Sequence, residues 1–225
     1  MKEPGRARLR GMAKTRAAAA RSVGAMNAIR PGIAGTAVVL MVTACCIVAA
    51  ADERYVRSLA PIYSTTGTKI GEIMPGTGVA PAKAGTSRAT ITIDGWSIQG
   101  ADPVIYSAVG ERIILATLDA SDASALAHRK TLGHKSDPYG TRWNHVQISV
   151  AVDTSQLTPR VASVWSAAHS LYAARCSACH ALHSPTEFTA NQWPNILTIM
   201  TKNAALDPSQ AALVRQYLQT HARAQ

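Results

Sequence analysis

The hydrophobic period of this chain changes once, after Leu157, and that change limits the architectures open to it. Before it, apolar residues recur in short runs with a period of two, as in half-buried strands. After it they fall at three- and four-residue spacing, as in helices. Ile62-Tyr63, Lys69 to Ile73, Ala89 to Ile93, Trp96 and Ile113 to Leu118 carry β-favouring residues. Ile91 and Ile93 alternate with Thr90, Thr92 and Asp94, and Asp94-Gly95 reads as a turn. Gly67, Pro75-Gly76, Gly85 and Gly110-Glu111 are further punctuation. Residues 119–140, rich in Asp, Ser, Lys and Gly, read as a long exposed loop, and Trp143, Val146, Ile148 and Val150 as one more strand. Several short strands without a long helix predict a compact β barrel.

Beyond Leu157 three helices are expected. Thr158 can cap the first, with Pro159 in its first turn and Val161, Trp165, Ala168 and Tyr172 on one face. The second runs from about Gln192 to Thr201, with Asn191 as its cap and Trp193, Ile196 and Met200 inward. The third starts with Asp207-Pro208 and a capping box completed by Gln210, and its stripe is Val214, Tyr217, Leu218 and His221. A three-helix unit of this size buries little core by itself and needs a staple.

The formal charge of +10 raises the question of nucleic acid, but its distribution answers against it. Residues 1–30 hold eight basic residues and one acid, whereas residues 52–225 hold fifteen and twelve. The basic character is therefore a leader property, followed by an apolar run over residues 33–51. That run is close to the roughly 20 residues that cross a bilayer. It also ends in Ala49-Ala50-Ala51, a small-residue cleavage pattern, and Val42-Thr43-Ala44-Cys45 resembles a lipobox. Cleavage, a lipid on Cys45 and a retained transmembrane anchor at 33–51 all send the remainder to the periplasmic side.

The chemistry lies in Cys176-Ser177-Ala178-Cys179-His180. Two thiols at this spacing reach one edge of a porphyrin, and the next residue delivers an imidazole to iron. A redox dithiol normally opens a helix after a strand, whereas this pair ends a helix. The motif predicts one covalently bound haem c, which would also serve as the missing core. Its iron ligand is His180, and Met200, the one methionine after Met74, is the candidate for the opposite face. His221 is the rival, His183 follows the motif too closely, and an open iron is the remaining alternative. Arg175 can pair with a propionate or stand as a solvated helix-end residue. Trp193 and Tyr217 are pocket walls or ordinary core, and Thr189 to Gln192 are haem-edge contacts or a helix cap.

Two stretches carry a more specific resemblance. One comprises Phe188-Thr189-Ala190-Asn191-Gln192-Trp193 with Tyr217 to Ala222; the other is Gly110 to Leu118 in the preceding half. With Cys176 to His180 and Met200, they resemble the C-terminal haem portion of the pentahaem c-type cytochromes that serve bacterial trimethylamine-N-oxide and dimethyl-sulfoxide reductases. Leu59 to Tyr63, Gly71 to Thr77 and Val152 to Leu157 resemble a bacterial SH3-like domain. The family's tetrahaem module has no counterpart, because only one Cys-x-x-Cys-His motif exists. The expected architecture is multidomain. It comprises a membrane or export segment over 1–51, a small all-β SH3-like barrel over 52–157, and a small all-α cytochrome c-like domain over 158–225. The resemblance implies a monohaem carrier, not an enzyme, passing electrons in the periplasm between a multihaem quinol dehydrogenase and a molybdenum-type reductase. A haem-based sensor and a docked haem subunit of a larger enzyme are the alternatives.

Overall fold

The computed structural model describes residues 53–83, 87–121, 125–126 and 129–224, without the side chains of residues 81–83. The strands are β1 (Arg54–Val56), β2 (Ala60–Tyr63), β3 (Lys69–Ile73), β4 (Gly78–Lys83) and β5 (Arg88–Ile98). They continue with β6 (Val104–Ala108), β7 (Glu111–Leu118), β8 (Arg129–Ser136), β9 (Arg142–Asp153) and β10 (Leu157–Thr158). Three helices follow: α1 (Val161–Cys176), α2 (Trp193–Asn203) and α3 (Pro208–Thr220).

The strands make one ten-stranded antiparallel sheet, in the order β10-β1-β4-β5-β6-β7-β3-β2-β9-β8. This corrects the small SH3-like barrel expected over 52–157. The spine is β5 with β9, paired from Arg88↔Asp153 to Ile98↔Trp143. Along β5, β4 pairs with Thr90 to Thr92 and β6 with Trp96. Alternate residues of the spine point inward: Ile91 and Ile93 from β5, and Val146, Ile148, Val150 and Val152 from β9. They meet Val56, Ile62, Ile70, Ile73 and Ile105 in one aliphatic core. The period-two pattern drives this burial, since a one-residue slip would turn every one of these side chains to solvent.

Three local readings change for stated reasons. Asp94-Gly95 is no turn but the middle of β5. A Cβ on Gly95 would lie 2.6 Å from Tyr106 O and 2.7 Å from Ile105 Cγ2, so glycine is there for close strand approach. Within 119–140, β8 forms a hairpin with β9 whose turn is tied by Asp137. Most of β8 is exposed on both faces, and its sequence Arg-Lys-Thr-Leu-Gly-His-Lys-Ser has no apolar alternation to betray it. Lysines on an exposed edge strand disfavour pairing with another chain. Finally, α1 starts after Arg160 with no side-chain cap, so Thr158 belongs to β10.

The helices follow their expected order. The buried stripe of α1 is Val164, Ala168, Tyr172 and Cys176, a four-residue spacing displaced from Val161 and Trp165. Asp207 and Gln210 close the capping box of α3 as its sequence predicts, and Val214 and Leu218 are fully buried. Gln192, not Asn191, occupies the N-cap position of α2. Together Tyr172, Cys176, Trp193, Leu197, Val214 and Leu218 form a second core. Among the described residues no helix is long and apolar enough to cross a membrane. The expected membrane or export segment over 1–51, including the apolar run 33–51 and Cys45, lies outside the described residues.

Candidate functional site

The last turn of α1 delivers Cys176 to the helical core, where it is buried, and the chain then turns through Ser177 to Cys179. Ser177 Oγ donates to Ala173 O at 2.6 Å, closing the helix end, where Arg175 complements the dipole. Cys179 and His180 emerge on the surface beyond it. No disulfide joins the two cysteines. Burial, with Cys179 as a second cause, pushes the Cys176 thiol up from its ordinary range, which favours the protonated form.

The segment after His180 is held on both sides by buried aromatics. Tyr172 O–H donates to His183 O at 2.9 Å, and Trp193 Nε1 donates to Pro185 O at 2.9 Å. Burial is the main reason that the Tyr172 phenol is pushed up to about 12, with the neighbouring Cys176 adding to it, so it remains a donor at neutral pH. Phe188 packs edge-on against Trp193 with centroids 5.0 Å apart. The imidazole of His180 thus stands on a supported turn. Its Nδ1 lies 2.6 Å from Ala181 O, which selects the Nδ1–H tautomer and leaves Nε2 as the lone-pair donor.

Across from this turn stands the C-terminal half of α2. Its end is a Schellman closure in which Leu206 N–H donates to Thr201 O and Ala205 N–H to Lys202 O, both at 3.1 Å. The left-handed position is held by Ala205, with φ of 50°, where glycine is usual. Between the two walls is a cleft of about 490 Å³ whose lining includes Cys176, Cys179, His180, Met200, Arg175 and Ala205. That volume falls in the range typical of cofactor sites, roughly 300–1,000 Å³. Two thiols, a pre-oriented imidazole and a thioether around one cleft suit a covalently attached haem.

Of the sequence candidates, Cys176, Cys179, His180 and Met200 are therefore brought together. The other histidines are engaged elsewhere. His183 Nδ1 lies 2.9 Å from Glu187 Oε2. His221 Nδ1 lies 2.8 Å from Tyr217 O, and its ring packs against Trp165 and Tyr217. Trp193 and Tyr217 belong to the helical core, and Arg175 lines the cleft. Asn191 does something the sequence reading missed. Its side chain accepts from Arg112 N–H at 2.7 Å and donates to Gly110 O at 2.8 Å, joining the helices to the sheet. Both stretches that carried the family resemblance meet at this contact, a link visible only once the strand and helix are placed.

Residues 48–157 match the family described as TorC third cytochrome c domain, and residues 172–225 match the family described as Dihaem cytochrome c. The cytochrome c-type protein TorY of Escherichia coli O157:H7 is 28% identical over 167 residues, covering 73% of this chain and 45% of that protein. TorY of Haemophilus influenzae is 28% identical over 133 residues, covering 59% and 35%. TorC of Escherichia coli O157:H7 is 26% identical over 176 residues, covering 76% and 44%. The chain thus spans less than half the length of these relatives. No solved structure matches it. Cytochrome c domains of this kind are periplasmic electron carriers and not enzymes.

These matches also correct two expectations, the monohaem function and the single covalently bound haem c. The helical half matches a dihaem family, and four cysteines are the number that two covalent haems use. Of those cysteines, Cys176 and Cys179 have the attachment spacing, while Cys45 and Cys46 are adjacent and lie outside the described residues. The single-haem expectation rested on the one Cys-x-x-Cys-His motif at Cys176 to His180, whereas the family match reflects the whole helical half.

Proposed function

We propose, for a chain homologous to the periplasmic c-type cytochromes TorC and TorY, that it carries electrons through haem bound at Cys176, Cys179 and His180. The observation that carries this reading is the convergence of those three residues and Met200 on one cleft, with His180 already oriented by Ala181 O. Haem bound there supplies one-electron storage, and the protein sets its potential through axial ligands and burial. Each residue has a distinct task. Cys176 and Cys179 would hold the group through thioethers, and His180 Nε2 and the Met200 sulfur would be its iron ligands. Tyr172 and Trp193 hold the turn that follows His180, and the helical core keeps water from the inner wall.

The partners fall under the same proposal: a multihaem quinol dehydrogenase as donor and a molybdenum-type reductase as acceptor. So does the finer localisation, with release after cleavage or tethering through residues 33–51 or a lipid on Cys45. Cell fractionation followed by haem staining of a denaturing gel separates these cases. The same gel tests the site. Covalent haem on the exported full chain should fall in the double variant Cys176→Ser/Cys179→Ser, and an undiminished stain in that variant would sink the reading.

A further inference from the structure

The strand β7 runs on past the strand beside it. Its pairing with β3 ends at Ile73↔Ala116, with one further bond from Met74 N–H to Leu115 O at 2.8 Å. At alternate residues beyond that point, Ile114, Arg112 and Gly110, the backbone is met by side-chain amides from the helical half. Gln216 Nε2 donates to Ile114 O at 2.6 Å, and Gln219 Nε2 donates to Arg112 O at 3.2 Å. Asn191 then takes Arg112 N–H and gives to Gly110 O. Gln219 also donates to Ala190 O at 2.9 Å, tying the clamp to the residue before Asn191. Alternate residues of a strand turn their polar groups to the same edge, so three amides take the place of a neighbouring strand.

Gln216 and Gln219 are 4% and 3% exposed, and buried amides of this kind persist where they are fully bonded. They are also polar residues at positions where the rest of α3 would favour an apolar side chain. Their bonds fix α3 and the start of α2 to the sheet. At its other end, α2 carries Met200 into the cleft. The opposite wall is anchored separately, because Trp165 of α1 packs over Gly76, a glycine with φ of +79°. The sheet therefore holds both walls of the cleft, each through its own contact.

From this we infer that Asn191, Gln216 and Gln219 are positioning residues: clamped to β7, they set where α2 holds Met200 relative to His180. The inference rests on the haem reading given above. Its test uses the full-length haem-loaded protein and follows the weak far-red sulfur-to-iron band of the oxidised form, the midpoint potential and thermal unfolding. Asn191→Ala and Gln219→Met are each expected to lose most of that band and to lower the potential, since thioether ligation raises it, while the haem stays covalently attached. Asn191→Asp keeps the acceptor for Arg112 N–H and should restore part of the band. An unchanged band and potential in both Asn191→Ala and Gln219→Met, with only the melting temperature reduced, overturns the inference alone. A wild-type protein without the band overturns the Met200 ligation on which it stands.

Discussion

Two residues show how local chemistry is stored in this molecule. Ala205 sits in the left-handed region at the end of α2, where its methyl is strained and glycine is not. Ala205→Gly relieves that strain but loosens the unfolded chain, so a net gain of up to about 1 kcal/mol is expected in denaturant unfolding. Asp137 organises the β8–β9 turn. The Trp143 indole N–H, and after it the backbone N–H groups of Thr141 and Tyr139, hold its carboxyl below the usual carboxylate range. A lowered folded value means that the charged form stabilises the turn at neutral pH. That contribution is lost as pH falls from the ordinary carboxylate range through the lowered value. Amide exchange at Tyr139 and Thr141 should therefore quicken on acidification, beyond the intrinsic rate. Asp137→Asn should exchange faster at neutral pH and lose this dependence; a variant that keeps the wild-type profile would contradict the assignment.

At the scale of the element, α3 is the clearest case of sequence chemistry becoming structure. Its capping box is complete, with Gln210 N–H bonding Asp207 Oδ1 at 2.8 Å and Asp207 N–H bonding Gln210 Oε1 at 3.3 Å. Asp207→Ala should cost about 1 kcal/mol in equilibrium unfolding. Leu218, fully buried on the same helix, belongs to the core that also holds Cys176 and Trp193. Leu218→Ala should cost about 2–5 kcal/mol, the range for emptying a packed leucine site. The second helix, α2, was legible for the same reason: Pro194 in its first turn and an apolar stripe are local signals. The cap of α2 was misread because Asn191, a good cap by type, is taken by a strand far away in sequence.

The whole molecule behaves as sheet and helices joined by contacts that neither half can satisfy alone. The described residues form one compact unit. Separating the halves would exchange the strand bonds of Asn191, Gln216 and Gln219 for bonds to water, at about 0.5–1.5 kcal/mol for each bond. One cooperative transition is therefore expected. Far-ultraviolet circular dichroism, which sees both halves, and haem absorbance, which sees the helices, should give the same midpoint. Two separated midpoints would show that the interface contributes little. The ten-stranded sheet was the feature least visible beforehand. Its spine shows the period-two pattern, but β8 is polar apart from Leu132 and Gly133, and β1 and β10 are very short. Strands of that kind owe their existence to partners rather than to their own composition.

The amino-acid sequence by itself determined the order of strands before helices, the capping of α3 and the grouping of Cys176, Cys179 and His180 within five residues. All of these depend on interactions between neighbours in the chain, which spacing and residue type encode directly. Only the tertiary structure decided that Met200 shares the cleft with His180 while His221 packs against Trp165 and Tyr217. The same is true of the bonds that Asn191, Gln216 and Gln219 make with a strand roughly 80 to 100 residues earlier. A side-chain amide has the same chemistry whether it caps a helix, faces water or completes a sheet, and its partner is set by the packing of distant elements.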